Sequence, residues 1–238
     1  MQDYVNQVIC WDCLKVLGGG IKDKSIDLII TDPPYLIENT TPWWKSALAK
    51  SFSKMTKELE SWTLTEGIGD EYLEEMVRVM KTINIYLRCN HKQIKQYLDF
   101  FVGKYECKFD ILIRNKVNAV PLFSNKYLTD KEYCLYFRKG AYCNPQSYEE
   151  AKTVFYDPIN SKDKKSRDHP TIKPLEMIKR LVNNSSKPWE LILDPFLGSG
   201  TTAVACKELW RNFIGIELEE RYCKIAEERL KNTTIPLF

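Results

Sequence analysis

Thr31-Asp32-Pro33-Pro34-Tyr35 follows the apolar run Ile26-Asp27-Leu28-Ile29-Ile30. Two consecutive prolines fix the backbone and withhold two N–H donors, leaving carbonyl oxygens to point into whatever cleft the loop borders. Asp32 adds a carboxylate acceptor and Tyr35 an aromatic face. Together they suit a planar group bearing an amino function, its ring stacked and its N–H protons accepted by oxygens. The bland alternative is a proline turn capped by Asp. A second such place is Gly198-Ser199-Gly200, after the apolar Leu191-Ile192-Leu193. Glycines there let a ligand approach the N-terminus of the following helix closely. Glu217 stands 19 residues beyond Gly198, at the end of the next apolar run. In βαβ nucleotide sites an acidic residue at that point accepts hydrogen bonds from ribose hydroxyls. The glycines alone also fit a nicotinamide enzyme; the strand–loop–helix–strand–Glu context points to a nucleoside cofactor.

The elements that must hold these residues can be read from periodicity. Short apolar runs predict strands over 5–11, 26–30, 83–87, 191–193 and 213–216. Helical spacing predicts helices near 14–17 and over 71–80, 93–102, 174–183, 201–210 and 220–231. Residues 36–70, with Trp43, Trp44, Phe52 and Trp62, have no clean period and read as a long loop or lid with helical patches. From about 104 to 165 short aromatic and β-branched runs, 109–113 and 133–137, alternate with Asn, Lys and Pro, a texture of hairpins rather than βα units. Strands alternating with helices on both sides of that stretch predict an α/β fold with a mostly parallel sheet.

A chain of 238 residues accommodates one large domain, or one domain with a small insertion. Its 44% hydrophobic and 28% charged composition excludes a disordered or collagen-like chain. No apolar run approaches the roughly 20 residues of a membrane-spanning helix, and Met1-Gln2-Asp3-Tyr4 lacks a secretory signal's basic start. Eight cysteines are too sparse for a disulfide scaffold, so the expectation is a soluble, cytoplasmic protein with no membrane association. Cys10 and Cys13 form a C-x-x-C without a second pair, and His91 and His169 are the only imidazoles, so no metal site is expected. The net charge of +3 conceals an uneven distribution. Residues 81–180 hold 20 Lys and Arg against 11 Asp and Glu, and the remainder holds 15 against 21. A basic middle between acidic ends suggests a polyanion-binding face, with a solvated lysine-rich surface as the alternative.

These motifs resemble those of the S-adenosylmethionine-dependent amino-group DNA methyltransferases, which act on adenine N6 or cytosine N4. Their catalytic [D/N/S]PP[Y/F/W] stands here as Asp32-Pro33-Pro34-Tyr35, and their FxGxG as Phe196-Leu197-Gly198-Ser199-Gly200, with Thr201-Thr202 also matching. Their HPTxKP stands as His169-Pro170-Thr171-Ile172-Lys173-Pro174. The catalytic motif first and the cofactor motif last is the permuted order of the β group. The resemblance covers most of 1–102 and 168–231, while the middle matches only in texture and position.

The resemblance implies a Rossmann-like, doubly wound sheet of the class I methyltransferase type. Residues 1–102 and 168–238 would form the catalytic and cofactor-binding domain, and 103–167 a small inserted target-recognition region. It implies S-adenosyl-L-methionine as cofactor and double-stranded DNA as partner, leaves a homodimer open, and makes any restriction endonuclease a separate chain. Asp32 and the Pro34 carbonyl would accept hydrogen bonds from the target amino group, and Tyr35 would stack on the flipped base. Phe196, Gly198, Ser199, Gly200, Thr201 and Thr202 would line the cofactor pocket, with Asp194 beside its methionine part and Glu217 on its ribose. Asp12 resembles the acidic position near the adenine, and Thr171 and Lys173 would face the methionine end. For DNA the candidates are Trp43 and Trp44 as a lid over the flipped base, and Arg114, Lys116, Lys126, Lys164, Lys165 and Arg167 as phosphate contacts. An opening Asp rather than Ser favours adenine N6 over cytosine N4 in this family. Two readings of other classes stand beside it: a nicotinamide-dependent Rossmann oxidoreductase, and a DNA-binding module with a degenerate cofactor site.

Overall fold

The structure, a computed structural model, describes residues 4–36, 67–117, 119, 127–157 and 174–234. In chain order the elements are β1 (Gln7–Cys10), α1 (Cys13–Gly20), β2 (Leu28–Thr31), α2 (Asp70–Val79), β3 (Ile83–Cys89) and α3 (Ile94–Leu98), which runs into a π-helical turn (Asp99–Lys104). There follow β4 (Lys108–Lys116), β5 (Lys131–Lys139), α4 (Tyr148–Ala151), β6 (Val154–Asp157) and α5 (Leu175–Ser185). The chain then forms β7 (Leu191–Asp194), α6 (Thr201–Glu208), β8 (Asn212–Glu217) and α7 (Glu220–Lys231). The strands form one eight-stranded sheet in the order β1-β8-β7-β2-β3-β5-β4-β6. Neighbours pair in parallel except β5, which is antiparallel to both β3 and β4.

Helices cover both faces, which is why the central strands are buried along their whole length rather than on alternate residues. Every residue of β2 and β3 is buried. Ile29, Ile85, Leu87 and Ile214 pack with Leu17, Leu73, Met76, Tyr97 and Phe101 from α1, α2, α3 and the π-helical turn. Leu28, Ile30, Tyr86, Ile192 and Phe213 point the other way, onto Met177, Ile178 and Leu181 of α5, Ala203 and Cys206 of α6, and Ala226 of α7. The α6 helix stops at Glu208, short of the expected 210, where Trp210 adopts a left-handed φ of 60°. No helix among the described residues is long and apolar enough to cross a membrane.

The sheet differs from the sequence expectation in one place. β4, β5 and β6 fall inside 103–167, the stretch expected to be an insertion, yet they extend the same sheet. β5 pairs with β3 over seven positions, Ile83↔Lys139 to Cys89↔Tyr133, and Phe137 packs on Phe101 with ring centroids 4.5 Å apart. The hairpin texture is present as the antiparallel β4–β5 pair. What the local pattern could not supply was the partner: β5 buries Cys134, Leu135, Tyr136 and Phe137 against β3, more than 40 residues away in sequence.

Candidate active site

Five adjacent parallel strands, β1, β8, β7, β2 and β3, end on one edge of the sheet. The loops leaving that edge carry most of the chemistry-bearing residues, the general location of ligand sites in open α/β sheets. Because β7 and β2 are neighbours, the two motif loops are brought together. The contact is direct: the Thr31 hydroxyl donates to Asp194 Oδ1 at 2.8 Å, both side chains being buried. Asp32 and Tyr35 come next, with the Tyr35 hydroxyl donating to Asp32 Oδ1 at 2.8 Å. Burial, then the neighbouring Asp32 carboxylate, pushes the Tyr35 hydroxyl well above the usual tyrosine range, so it remains a donor.

Arg88 on β3 faces this loop at 3% exposure. Burial works against its charge, but Asp32 and Glu132 are among the neighbours that more than offset it. Glu132 on β5 collects Arg114 Nη1 at 3.0 Å, Lys116 Nζ at 3.1 Å and Arg88 Nη1 at 3.9 Å. The β4–β5 register sets Arg114 directly opposite Glu132. Arg114 and Lys116, candidate phosphate contacts in the sequence, are therefore held by an internal carboxylate, with Arg114 7% exposed. Arg88 was not anticipated; its signal is a lone cation inside the run Ile-Asn-Ile-Tyr-Leu-Arg-Cys.

The glycine loop is held from behind by β8 and α7. Gly198 and Gly200 adopt φ of 55° and 83°. The Gly198 N–H donates to Glu217 Oε2 at 2.7 Å and the Leu197 N–H to the Ile216 carbonyl at 2.8 Å. Glu217 Oε1 accepts from the Glu219 N–H at 2.9 Å, and burial raises its carboxyl above the usual range. Arg229 Nη1, from the last turn of α7, donates to the Ser199 carbonyl at 2.5 Å and lies 3.1 Å from both Ser199 Oγ and Thr201 Oγ1. Hydrogen bonds from a charged donor are worth about 1.5–3 kcal/mol. Arg229→Met is accordingly expected to loosen the loop and weaken cofactor binding by about tenfold, with the fold retained. Titration calorimetry of the variant checks this, and unchanged affinity would show the loop to be held without Arg229.

Asp194, 5% exposed, accepts from Thr31, from the Phe196 N–H at 3.2 Å and from Thr202. Burial outweighs these bonds and raises its carboxyl to about 7. With the folded pKa above the unfolded one, the native state binds the extra proton between pH 4 and 7. Stability without ligand therefore falls as pH rises through that window, by on the order of 4 kcal/mol at most. Urea denaturation of the ligand-free protein and of Asp194→Asn at pH 5, 6, 7 and 8 checks this. The difference between them should grow in favour of the variant as pH rises; a constant difference would contradict it.

Asp12 lies at the end of β1 and its Oδ1 accepts from the Lys15 N–H at 2.9 Å, capping α1. The Trp11 N–H donates to the Glu217 carbonyl at 3.0 Å, which puts the loop carrying Asp12 beside the end of β8 at Glu217. Trp11 and Leu218, 59% and 58% exposed, are apolar surface beside these carboxylates that sequence reasoning did not single out. Phe196 is half-buried against Tyr72, with ring centroids 6.0 Å apart. Trp43, Trp44, Lys126, Lys164, Lys165, Arg167, Thr171 and Lys173 lie outside the described residues.

The family described as DNA methylase, covering the N6 and N4 amino-methyltransferases, matches residues 26–228. The chain belongs to that family. The Type II methyltransferase M2.MboI of Moraxella bovis is 31% identical over 237 residues, covering 90% of this chain and 83% of that protein. Among solved structures, the M1.HpyAVI–SAM complex superposes with a TM-score of 0.65 at 24% identity, over 94% of this chain and 98% of that one. The cytosine-N4-specific PvuII DNA methyltransferase does so with 0.71 at 14% identity, over 96% and 87%.

As a member of the DNA methylase family the protein is an amino-group DNA methyltransferase, and its cofactor is S-adenosylmethionine. The site's own chemistry fits that molecule. The cofactor is a nucleoside with ribose hydroxyls and a cationic amino-acid tail. The edge offers the carboxylates Asp12, Glu217 and Asp194 around a glycine loop where a side-chain Cβ at Gly200 would lie 2.7 Å from that of Ala226.

Proposed function

We propose that the protein methylates adenine N6 in double-stranded DNA, on a base swung out of the helix onto the Asp32–Tyr35 loop. The observation that carries this is the 2.8 Å hydrogen bond from Thr31 to Asp194, which fixes the amino-accepting loop beside the cofactor loop. S-adenosylmethionine, when bound, supplies an electrophilic methyl group on a sulfonium. The protein's own task is positioning and charge. An exocyclic amine conjugated to its ring is a poor nucleophile. Asp32, with the Pro34 carbonyl, would accept its two N–H protons and favour a tetrahedral nitrogen with an available lone pair. A carboxylate can accept several hydrogen bonds, so the Tyr35 hydroxyl on Oδ1 and the target amine can share Asp32. Asp194 would meet the methionine ammonium, Glu217 the ribose hydroxyls and Asp12 the adenine side, where Trp11 and Leu218 offer apolar cover.

Adenine is favoured because Asp opens the tetrapeptide. We assign target reading to the chain between β3 and α5, in particular the connection between β4 and β5, since β4 and β5 themselves serve the sheet. The test is incubation with labelled S-adenosylmethionine and unmethylated double-stranded DNA, then digestion to nucleosides and mass identification. N6-methyldeoxyadenosine is expected. N4-methyldeoxycytidine would replace the adenine assignment within the same family, and absence of label would overturn methyl transfer to DNA.

A further inference from the structure

The loop that follows β3 grips the Asp32–Tyr35 loop through two side-chain amides. Gln93, 2% exposed, donates from Nε2 to the Pro34 carbonyl at 2.9 Å and to the Tyr97 hydroxyl oxygen at 3.2 Å. Its Oε1 accepts from the Asn90 N–H at 3.3 Å. Both amide protons and the amide oxygen are thus engaged, and the Asn90 N–H settles which end of the amide faces Pro34. Tyr97 is itself completely buried, so the anchor behind Gln93 is rigid. Asn90 makes the second grip, donating from Nδ2 to the Leu36 carbonyl at 2.8 Å, while its Oδ1 accepts from the Lys92 N–H at 3.0 Å. The carbonyls on either side of Tyr35 are therefore both pinned, 59 and 54 residues away in sequence from the groups that hold them.

We infer that Gln93 and Asn90 are positioning residues for methyl transfer, Gln93 setting the Pro34–Tyr35 peptide plane and Asn90 fixing the chain just beyond Tyr35 at Leu36, before substrate arrives. The inference rests on the proposed role of the Asp32–Tyr35 loop. Pro33 and Pro34 have no N–H, so this loop cannot be held by backbone donation of its own at those residues. Gln93 and Asn90 supply donors from outside it. A carbonyl oxygen has two lone pairs, so the Gln93 bond leaves the Pro34 oxygen able to accept another donor in a direction fixed in advance. Neither residue touches the glycine loop, so their effect should fall on turnover rather than on cofactor affinity.

The test compares wild type with Gln93→Met and Asn90→Ala. Single-turnover methyl transfer should fall about 10–100-fold in Gln93→Met and less in Asn90→Ala, because displacements near 1 Å cost up to about 10²-fold. KM for S-adenosylmethionine should stay within about threefold of wild type. Unchanged turnover in either folded variant, or an equal loss in cofactor affinity, would overturn the positioning role. A second readout is independent of activity. Pro34-Tyr35 is the only Pro–Tyr pair in the sequence, so labelling proline carbonyl carbon and tyrosine nitrogen gives a single cross-peak in a carbonyl–amide correlation spectrum. That peak should move in Gln93→Met, its carbonyl shift to the value of a weaker hydrogen bond; a peak that stays in place would refute the grip. If Gln93→Met does not fold, Asn90→Ala decides by the same turnover criterion. Absence of methyl transfer by wild type would reject the proposed function alone, with the spectrum still judging the grip.

Discussion

Asp32→Ala is expected to abolish methyl transfer while S-adenosylmethionine still binds. The carboxylate is the charged acceptor of the Asp32–Tyr35 loop, and its loss removes the group that would hold an N–H proton of the target amine. Losing one preorganised polar partner of a reacting group lowers turnover by about 10²–10³-fold in well-studied cases. Here the effect should be at the upper end or beyond, because Tyr35 loses its hydrogen-bond acceptor too. Cofactor binding should survive because the glycine loop is held from elsewhere, by Glu217 on Gly198 and by Arg229 on Ser199 and Thr201. Asp32 is one of the influences that raise the Asp194 carboxyl. Removing it eases the ionisation of Asp194, which leaves a cationic ligand no worse off. Asp32→Asn separates charge from shape: it keeps an acceptor oxygen, so residual activity above that of the alanine variant is expected. Calorimetry with the cofactor, alongside label transfer to DNA, checks both halves. Wild-type-like turnover would sink the assignment of Asp32.

Gly200→Ala is expected to be the most damaging small substitution, and it acts on the opposite loop. Gly200 sits at φ 83°, in the left-handed region, where an L side chain costs roughly 1–2 kcal/mol. The added methyl would also lie 2.7 Å from Ala226 Cβ and 3.0 Å from Ala226 Cα. Ala226 is fully buried on α7, so its backbone has nowhere to retreat, and overpacking of this kind costs about 1–3 kcal/mol. The sum, about 2–5 kcal/mol, should appear in chemical denaturation. Pushing α7 outward also shifts Arg229, so cofactor affinity should fall by more than about 100-fold. Gly200→Ala with Ala226→Gly removes the 2.7 Å contact but leaves the 3.0 Å approach to the Cα and the dihedral strain, and should recover part of the stability and little of the affinity. Full stability of the single variant would show that the loop has another conformation open to it.

The contrast between these two loops and the rest of the site shows what a sequence can disclose. Asp32-Pro33-Pro34-Tyr35 and Gly198-Ser199-Gly200 were legible because each is short, uses residues with special backbone properties, and follows an apolar strand. Glu217 was legible because a βαβ unit fixes its distance from the glycines. The parallel half of the sheet came with them. The antiparallel half did not: β4 and β5 showed themselves as a hairpin, but their pairing to β3 depends on the burial of Leu135 and Phe137 against a strand far away in sequence. For the same reason Arg114 and Lys116 looked like surface cations until the register set Arg114 opposite Glu132. Gln93 and Arg229 carry no local mark at all. Their roles arise from partners 59 and 30 residues distant, and glutamine or arginine in a loop or on a helix end is ordinary composition.

The most direct measurement is label transfer from S-adenosylmethionine to unmethylated double-stranded DNA by wild type and Asp32→Ala side by side, with the DNA digested to nucleosides. Wild type should yield N6-methyldeoxyadenosine, and Asp32→Ala, binding the cofactor equally well, should yield none. An unlabelled wild-type product, or the same methylated nucleoside from both proteins, would contradict methyl transfer at the Asp32–Tyr35 loop.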